Sequence, residues 1–213
     1  MTTFVVQAVL FDLDGTLVDS VASVNRNWLR ICADIGWDPA RVIGRFHGMT
    51  GAQAIRAVDP GLPEEEVLRL NALLIAGETA DTVDVVPAPG AVRALEVLPP
   101  DRWTIVTSCS LGLATARLDA AGLPAHPAMV TSEDVVHGKP DPEPFALGAR
   151  RLGFAPADCL AVEDAPAGIR SAVAAGSRTL GVLTSHTKLS GPTVADLSTV
   201  SFESVGDGIR VTF

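Results

Sequence analysis

The stretch FVVQAVLFDLDGT, residues 4–16, decides how this chain folds. Residues 4–11 are apolar apart from Gln7, and they show no polar alternation. Such a run reads as one strand buried on both faces, as in a parallel sheet. It ends in Asp12-Leu13-Asp14-Gly15. Residues two apart on a strand face the same side, so both carboxylates point into the space beyond the strand's carboxyl end. Gly15 then permits a sharp exit.

Outward from that strand, short apolar runs alternate with helical patterns. Strands are predicted at 104–107 (TIVT), 128–131 (AMVT), 159–162 (CLAV) and 179–183 (TLGVL). Helices are predicted over 90–98, 111–121, 142–152 and 166–175, each with Pro, Ser or Asp near its start or Gly just past its end. Repeated strand–helix alternation predicts an α/β fold with a doubly wound parallel sheet. Ligands of such sheets sit beyond the carboxyl ends of the strands.

One segment breaks the alternation. Between Asp19 and Asp81 no convincing strand can be read. Val21, Val24, Trp28, Ile31 and Ile35 form one apolar helical stripe, and Trp28 is expected in the core. Pro63 opens another helix, with Glu64, Glu65 and Glu66 in its first turn, where the macrodipole favours acids. Four helices are expected here, as an inserted helical cap over 19–83. Residues 1–18 and 84–213 then make the core, with 84–89 (DVVPAP) as the return hinge. The tail from Ser185 is weakly patterned, with one strand expected near 209–213.

The 213 residues carry 25 acidic against 16 basic side chains, a formal charge of −9. Phosphate affinity in nucleic-acid binders comes from massed Lys and Arg, so neither nucleic acid nor an anionic membrane is an expected partner. Cys32, Cys109 and Cys159 lie far apart and point to a reducing compartment. The first residues lack a basic segment, and their apolar run is too short to span a membrane. A cytoplasmic monomer is expected, handling phosphate in a small local site with a metal.

Two carboxylates beside a metal suit covalent phosphoryl transfer, one attacking phosphorus and the other moving the proton. An Asp-rich turn also caps helices, and that reading suits Asp19-Ser20. Thr107-Ser108-Cys109-Ser110 follows a strand and offers a hydroxyl and amides to phosphate oxygens, with Ser110 read as an N-cap. Lys139, set between Gly138 and Pro140, is either a positioned charge or solvated surface. Glu163-Asp164 directly follows an apolar strand, where adjacent acids make good ligands for a hard cation.

Together, Asp12-Leu13-Asp14-Gly15-Thr16, Thr107, Gly138-Lys139-Pro140 and Glu163-Asp164 resemble the four motifs of the haloacid dehalogenase (HAD) superfamily. The helical block resembles its C1 cap. Phe46-His47-Gly48 and Glu163-Asp164-Ala165-Pro166-Ala167-Gly168 are similar to the sugar- and polyol-phosphate phosphatases of that superfamily. The resemblance implies a Rossmann-like core and an Mg²⁺-dependent phosphatase for a small phosphorylated metabolite.

It also implies roles. Asp12 would be the nucleophile and a metal ligand. Asp14 would be the general acid/base, with its carbonyl on the metal. Thr107 and the Ser108 amide would hold the phosphoryl group, and Lys139 would neutralise charge. Asp164 would bind Mg²⁺ directly, and Glu163 directly or through water. Gly15, Arg45, His47 and Gly48 would line the substrate site, with Gln53 nearby.

Ionised Asp12, Glu163 and Asp164 with a phosphomonoester dianion sum to about −5, against about +3 from Lys139 and Mg²⁺. The residual negative field is expected to keep a proton on Asp14 until the leaving oxygen needs it. Related β-phosphoglucomutases carry a His at the position of Val24, so a phosphosugar mutase is the weaker alternative, beside a phosphoglycolate phosphatase and a non-enzymatic phosphometabolite-binding module. Cys109 stands where such proteins usually have Gly.

Overall fold

Gln7 divides the expected first strand. In the computed structural model, which describes residues 1–46 and 48–213, the Gln7 amide donates to the Asp158 carbonyl (2.7 Å), and Arg102 donates to the Gln7 side chain (2.8 Å). A polar side chain that finds partners only at the sheet's margin ends one strand and begins another. The elements run β1 (Thr3–Val6), β2 (Ala8–Phe11), β3 (Val18–Asp19), α1 (Val21–Ile35), α2 (Gly51–Val58), α3 (Glu64–Ala80), β4 (Val86–Pro87) and α4 (Ala91–Val97). They continue with β5 (Trp103–Ile105), α5 (Leu111–Ala121), α6 (Glu143–Arg151), β6 (Cys159–Glu163), α7 (Pro166–Ala175), β7 (Arg178–Val182), β8 (Thr193–Val194), β9 (Ser201–Val205) and β10 (Gly208–Thr212).

Five strands form a parallel sheet in the order β5-β2-β6-β7-β8. β1 joins β10 and β9 in a separate antiparallel sheet, with Thr3 and Val5 exposed, so it is not buried on both faces as expected. The strand expected at 128–131 reduces to a single bridge between Val130 and Val106.

The wholly apolar β2 divides its side chains between two layers. Val9 and Phe11 pack with Leu113, Leu118 and Phe202, while Ala8 and Leu10 pack with Phe145, Ala149 and Ala172. That is the period-two alternation of a strand covered on both sides. This interior strand is therefore anchored from two faces.

The helical block contains three α-helices and a 3-10 turn at Pro39–Arg41 rather than four α-helices. Its apolar centre is drawn from Trp28, Ile31, Ile55, Val58, Val67, Leu70 and Leu74, among others, confirming Trp28 as a core residue. α2 starts with a reciprocal cap, in which Thr50 accepts from the Gln53 amide and the Gln53 side chain accepts from the Thr50 amide. The chain enters and leaves the block through a two-residue ribbon, Val18 opposite Pro87 and Asp19 opposite Val86. The expected return hinge thus pairs with the exit strand. Arg26 grips Asp81 at 2.8 Å, tying the start of the block to its end. Among the described residues, no helix is long and apolar enough to cross a membrane.

The turn that leads towards Lys139 is held by Asp134. Its Oδ2 accepts from the Thr131 amide and hydroxyl, both at 2.8 Å, and its Oδ1 accepts from Arg151 at 2.6 Å. The Arg151 hydrogen bond pulls the Asp134 carboxyl down to about 2. A depressed pKa contributes stability above the ordinary carboxylate value near ~4 and loses it as the pH falls towards ~2. Asp134→Ala is expected to destabilise the protein by about 1–2 kcal/mol at neutral pH. In urea unfolding its difference from the wild type should narrow at pH 3; an equal difference at both pH values would contradict this role.

Candidate active site

Three strand ends and one loop meet where the sheet predicts a ligand. Asp12 follows β2, Thr107 follows β5, and Glu163 ends β6 with Asp164 next; Lys139 arrives from the loop before α6. The Lys139 ammonium lies 2.6 Å from Asp12 Oδ1 and 2.6 Å from Glu163 Oε1. It is only 1 % exposed and also sits over the Phe145 ring. It is a positioned charge, not solvated surface.

Three buried carboxylates therefore surround one ammonium. Ligand oxygens of Asp12, Glu163 and Asp164 lie within 4.8 Å of one another. Burial pushes the Asp12 carboxyl up to about 7, with Lys139 pulling the other way and Glu163 pushing further. Burial works against the Lys139 charge, but Asp12 and Glu163 outweigh it and hold the ammonium protonated. Asp164 is raised well above the usual carboxylate range by burial, then by Glu163 and Asp12.

The two acids at the end of β6 are not equivalent. Glu163 is committed, with Oε1 on Lys139 and Oε2 accepting from the Ala165 amide at 2.8 Å. Both Asp164 oxygens are shut off from solvent, and among the described residues neither meets a donor in good hydrogen-bonding geometry, although Ser185 lies near enough to lower its pKa. Buried carboxylates without partners are costly, and a cation is the usual remedy. The donor set fits a hard divalent ion, with Asp12 and Asp164 as the oxygens able to reach it.

Two glycines make this crowding possible. A Cβ at Gly15, whose φ is +82°, would stand 2.0 Å from Asp164 Oδ2. A Cβ at Gly168 would stand 1.6 Å from Glu163 Oε1. Gly15 therefore lets Asp164 approach the turn, beyond the exit expected of it.

Asp14 occupies a different environment from the one expected. Its Oδ1 accepts from the Ser20 hydroxyl at 2.6 Å, and its Oδ2 accepts from the Cys109 thiol at 3.0 Å and from Arg117. The charge sum read from the motifs omitted Arg117, so Asp14 faces a guanidinium and not an unrelieved negative field. Arg117 bonds on its other side to Glu78 of α3. Burial pushes the Glu78 carboxyl up to about 7, against the pull of Arg117. Burial likewise raises the Cys109 thiol far above its ordinary value, followed by Asp14, so Cys109 is no ready nucleophile.

Beside these groups lies a cavity of about 150 Å³ between the helical block and the sheet. Asp12, Asp14, Gly15, Gly48, Thr107 and Ser108 all line it. The Thr107 hydroxyl accepts from the Cys109 amide at 3.0 Å, and Ser110 caps α5 as expected. The Ser108 hydroxyl donates to the Gly48 carbonyl at 3.0 Å, joining block and sheet. Gln53 does the same, donating to the Lys139 carbonyl at 3.2 Å, so it braces the two parts and is not free for substrate. Arg45 is exposed and outside the lining, contrary to expectation. His47 lies outside the described residues. Ser20 holds Asp14 and makes no side-chain cap to α1.

Sequence reading missed Arg117 and Glu78. Each leaves a signal, a charge on an apolar stripe. Arg117 falls among Leu113, Ala114, Leu118 and Ala121, and Glu78 follows Val67, Leu70 and Leu74. Two opposite charges, each on a buried helix face, are candidates for one another.

The sequence pattern of the haloacid dehalogenase-like hydrolases matches residues 6–176. The chain is 41% identical to hexitol phosphatase A of Escherichia coli (strain K12) over 175 residues, covering 81% of each protein. It is 32% identical to 2-deoxyglucose-6-phosphate phosphatase 1 of Saccharomyces cerevisiae, covering 88% of this chain and 84% of that one. Among solved structures, a hydrolase from Pseudomonas syringae superposes with a TM-score of 0.77 at 29% identity, covering 84% of this chain and 85% of that one. With the four segments converging on one site, the chain belongs to the haloacid dehalogenase-like hydrolases.

Proposed function

We propose that this hydrolase is an Mg²⁺-dependent phosphatase for a small, otherwise uncharged sugar or polyol phosphate, working through an aspartyl-phosphate on Asp12. The observation that carries the substrate class is the charge of the cavity. Among its described lining residues the one Lys or Arg is Arg117, already held by Asp14 and Glu78. Asn25 and Asn71 offer amides that match hydroxyls, and among the described residues Asn71 Oδ1 is buried without a partner. A second anionic group on the substrate would find no free cation and would meet Glu78. That speaks against phosphoglycolate and for neutral polyols, the class named by the relatives hexitol phosphatase A and 2-deoxyglucose-6-phosphate phosphatase 1.

Lys139 fixes Asp12 Oδ1 and screens the approach of a phosphate dianion to the carboxylate. An Asp12 oxygen forms the bond to phosphorus as the ester bond breaks, and Asp14 gives the leaving oxygen its proton. Asp14 then takes a proton from the water that hydrolyses the aspartyl-phosphate. Thr107 and Ser108 line the cavity where the phosphoryl oxygens would lie. Mg²⁺, held by Asp12, Asp164 and the Asp14 carbonyl with Glu163 behind them, would supply positive charge against the transferring group. Val24 and Asn25 line the cavity where a mutase would place an imidazole, and neither relays a proton, which favours transfer to water.

Phosphate release from hexitol phosphates, 2-deoxyglucose 6-phosphate, glycerol 1-phosphate and phosphoglycolate, with Mg²⁺ and with chelator, tests this reading. Turnover of neutral polyol or sugar phosphates is expected, lost with chelator and in Asp12→Asn with the fold retained. Substantial Mg²⁺-dependent turnover in Asp12→Asn, or a preference for phosphoglycolate, would overturn it. Saturable binding without phosphate release would indicate a binding module.

The cation site has its own test in stability. Mg²⁺ should raise the wild-type Tm by about 2–5 °C. Asp164→Asn should leave the metal-free protein folded and abolish the Mg²⁺ shift. An Mg²⁺ shift of equal size in both proteins would place the ion elsewhere.

A further inference from the structure

Arg117 stands in the middle of the buried face of α5 and is 2% exposed. Glu78 stands in the last turn of α3, 7% exposed, and α3 packs against α5 across the boundary between helical block and sheet. Nη1 of the guanidinium donates to Asp14 Oδ2 and, at 3.1 Å, to Cys109 Sγ. Nη2 donates to Glu78 Oε2. A guanidinium is a rigid planar fork, so fixing one of its nitrogens sets the plane in which the other acts. With Ser20 on Oδ1, Asp14 is gripped at both oxygens, and one grip passes through Arg117 to the cap.

We infer that Arg117 is a positioning residue that couples docking of the helical cap to the orientation of Asp14. When the cap is seated, Glu78 steadies the far side of the guanidinium, and Arg117 holds Asp14 towards the cavity. When the cap swings away, Glu78 leaves, and Arg117 loses the contact that fixes its plane. The proton donor is then aligned only while substrate is enclosed. Cap closure would thus limit proton delivery with the site open to water. The inference rests on the acid/base reading of Asp14 proposed above.

The test compares Arg117→Gln, Glu78→Ala and Glu78→Gln on two substrates. One is the polyol phosphate turned over fastest, whose alkoxide must be protonated as it leaves. The other is p-nitrophenyl phosphate, whose leaving group departs as an anion. In rapid-quench measurement of the phosphorylation step, before the hydrolysis that both substrates share, Arg117→Gln should slow phosphoryl transfer from the polyol phosphate about 100-fold, and from p-nitrophenyl phosphate less than about 5-fold. Glu78→Ala should show the same split at about 10-fold, and Glu78→Gln should recover to within about 3-fold, because its amide oxygen still accepts from Arg117. KM should hold throughout. Hydrogen exchange in Glu78→Ala should quicken at the end of α3 and in residues 81–86, while β2 and β6 stay protected.

Equal losses in the phosphorylation step on both substrates in a folded variant would reduce the pair to a structural brace. A raised KM with unchanged kcat would make it a substrate contact. Either result overturns the inference, as does a silent Glu78→Ala. Should Arg117→Gln fail to fold, the Glu78 pair decides alone. If the wild type releases no phosphate, or Asp14→Asn slows the phosphorylation step as much with p-nitrophenyl phosphate as with the polyol phosphate, the reading of Asp14 falls, and this inference with it. If the wild type and Asp14→Asn behave as proposed and the Glu78 variants are silent, the coupling alone is wrong.

Discussion

The structure depends on one crowded arrangement, the Lys139 ammonium seated between Asp12 and Glu163 with Asp164 alongside. Each of these groups is almost wholly buried. One positive charge cannot balance three carboxylates in a medium that screens poorly, so the cluster is stable only with protons retained or a second cation bound. Nearby features serve that arrangement. The parallel sheet brings Asp12 and Glu163 to adjacent strand ends, as ligand sites of open α/β sheets require. Gly15 and Gly168 leave the space that Asp164 and Glu163 occupy. The Ala165 amide holds Glu163 so that it serves Lys139, which in the proposed mechanism leaves Asp164 to hold the metal.

A second cluster mirrors the first across the cavity. There too one cation lies between two carboxylates, the Arg117 guanidinium between Asp14 from the sheet side and Glu78 from the helical block. The first cluster lies within the sheet's own elements and is rigid. The second crosses between the two parts of the molecule and can be broken by their movement. In the proposed mechanism the proton-transfer group, Asp14, is tied through Arg117 to the helical block, and the nucleophile, Asp12, is tied through Lys139 to the end of β6. Such a division suits a reaction in which the phosphoryl position must be fixed while the substrate's remainder is admitted and released.

Much of this was legible in the sequence because it is local. Asp12, Asp14, Thr107, Glu163 and Asp164 sit at or just past apolar runs, and a strand followed by an acid is readable without tertiary knowledge. α5 and α7 fall on the expected residues because their caps and glycines lie at their ends. What escaped was set by contacts distant in the chain. Gln7 splits an apolar run only because Asp158 and Arg102 reach it. The 128–131 run stays nearly unpaired because Val106 alone bridges to it. Ser20 looks like a helix cap until Asp14 folds back upon it. Arg117 and Glu78 carried a sequence signal each, but their meaning depended on α3 crossing α5. Arg45 was placed at the site from its neighbours in sequence, yet the turn that carries it faces solvent.

The most direct test of the account is to trap the phosphoryl group on the enzyme. Asp14→Asn should still accept a phosphoryl group from p-nitrophenyl phosphate but hydrolyse it slowly, giving a burst of p-nitrophenolate of one equivalent per protein. Acid quenching at the end of the burst, followed by peptide mass mapping, should locate a single phosphoryl group on Asp12. Phosphoryl found on any other side chain, or nitrophenolate released steadily from protein that never becomes phosphorylated, would contradict it.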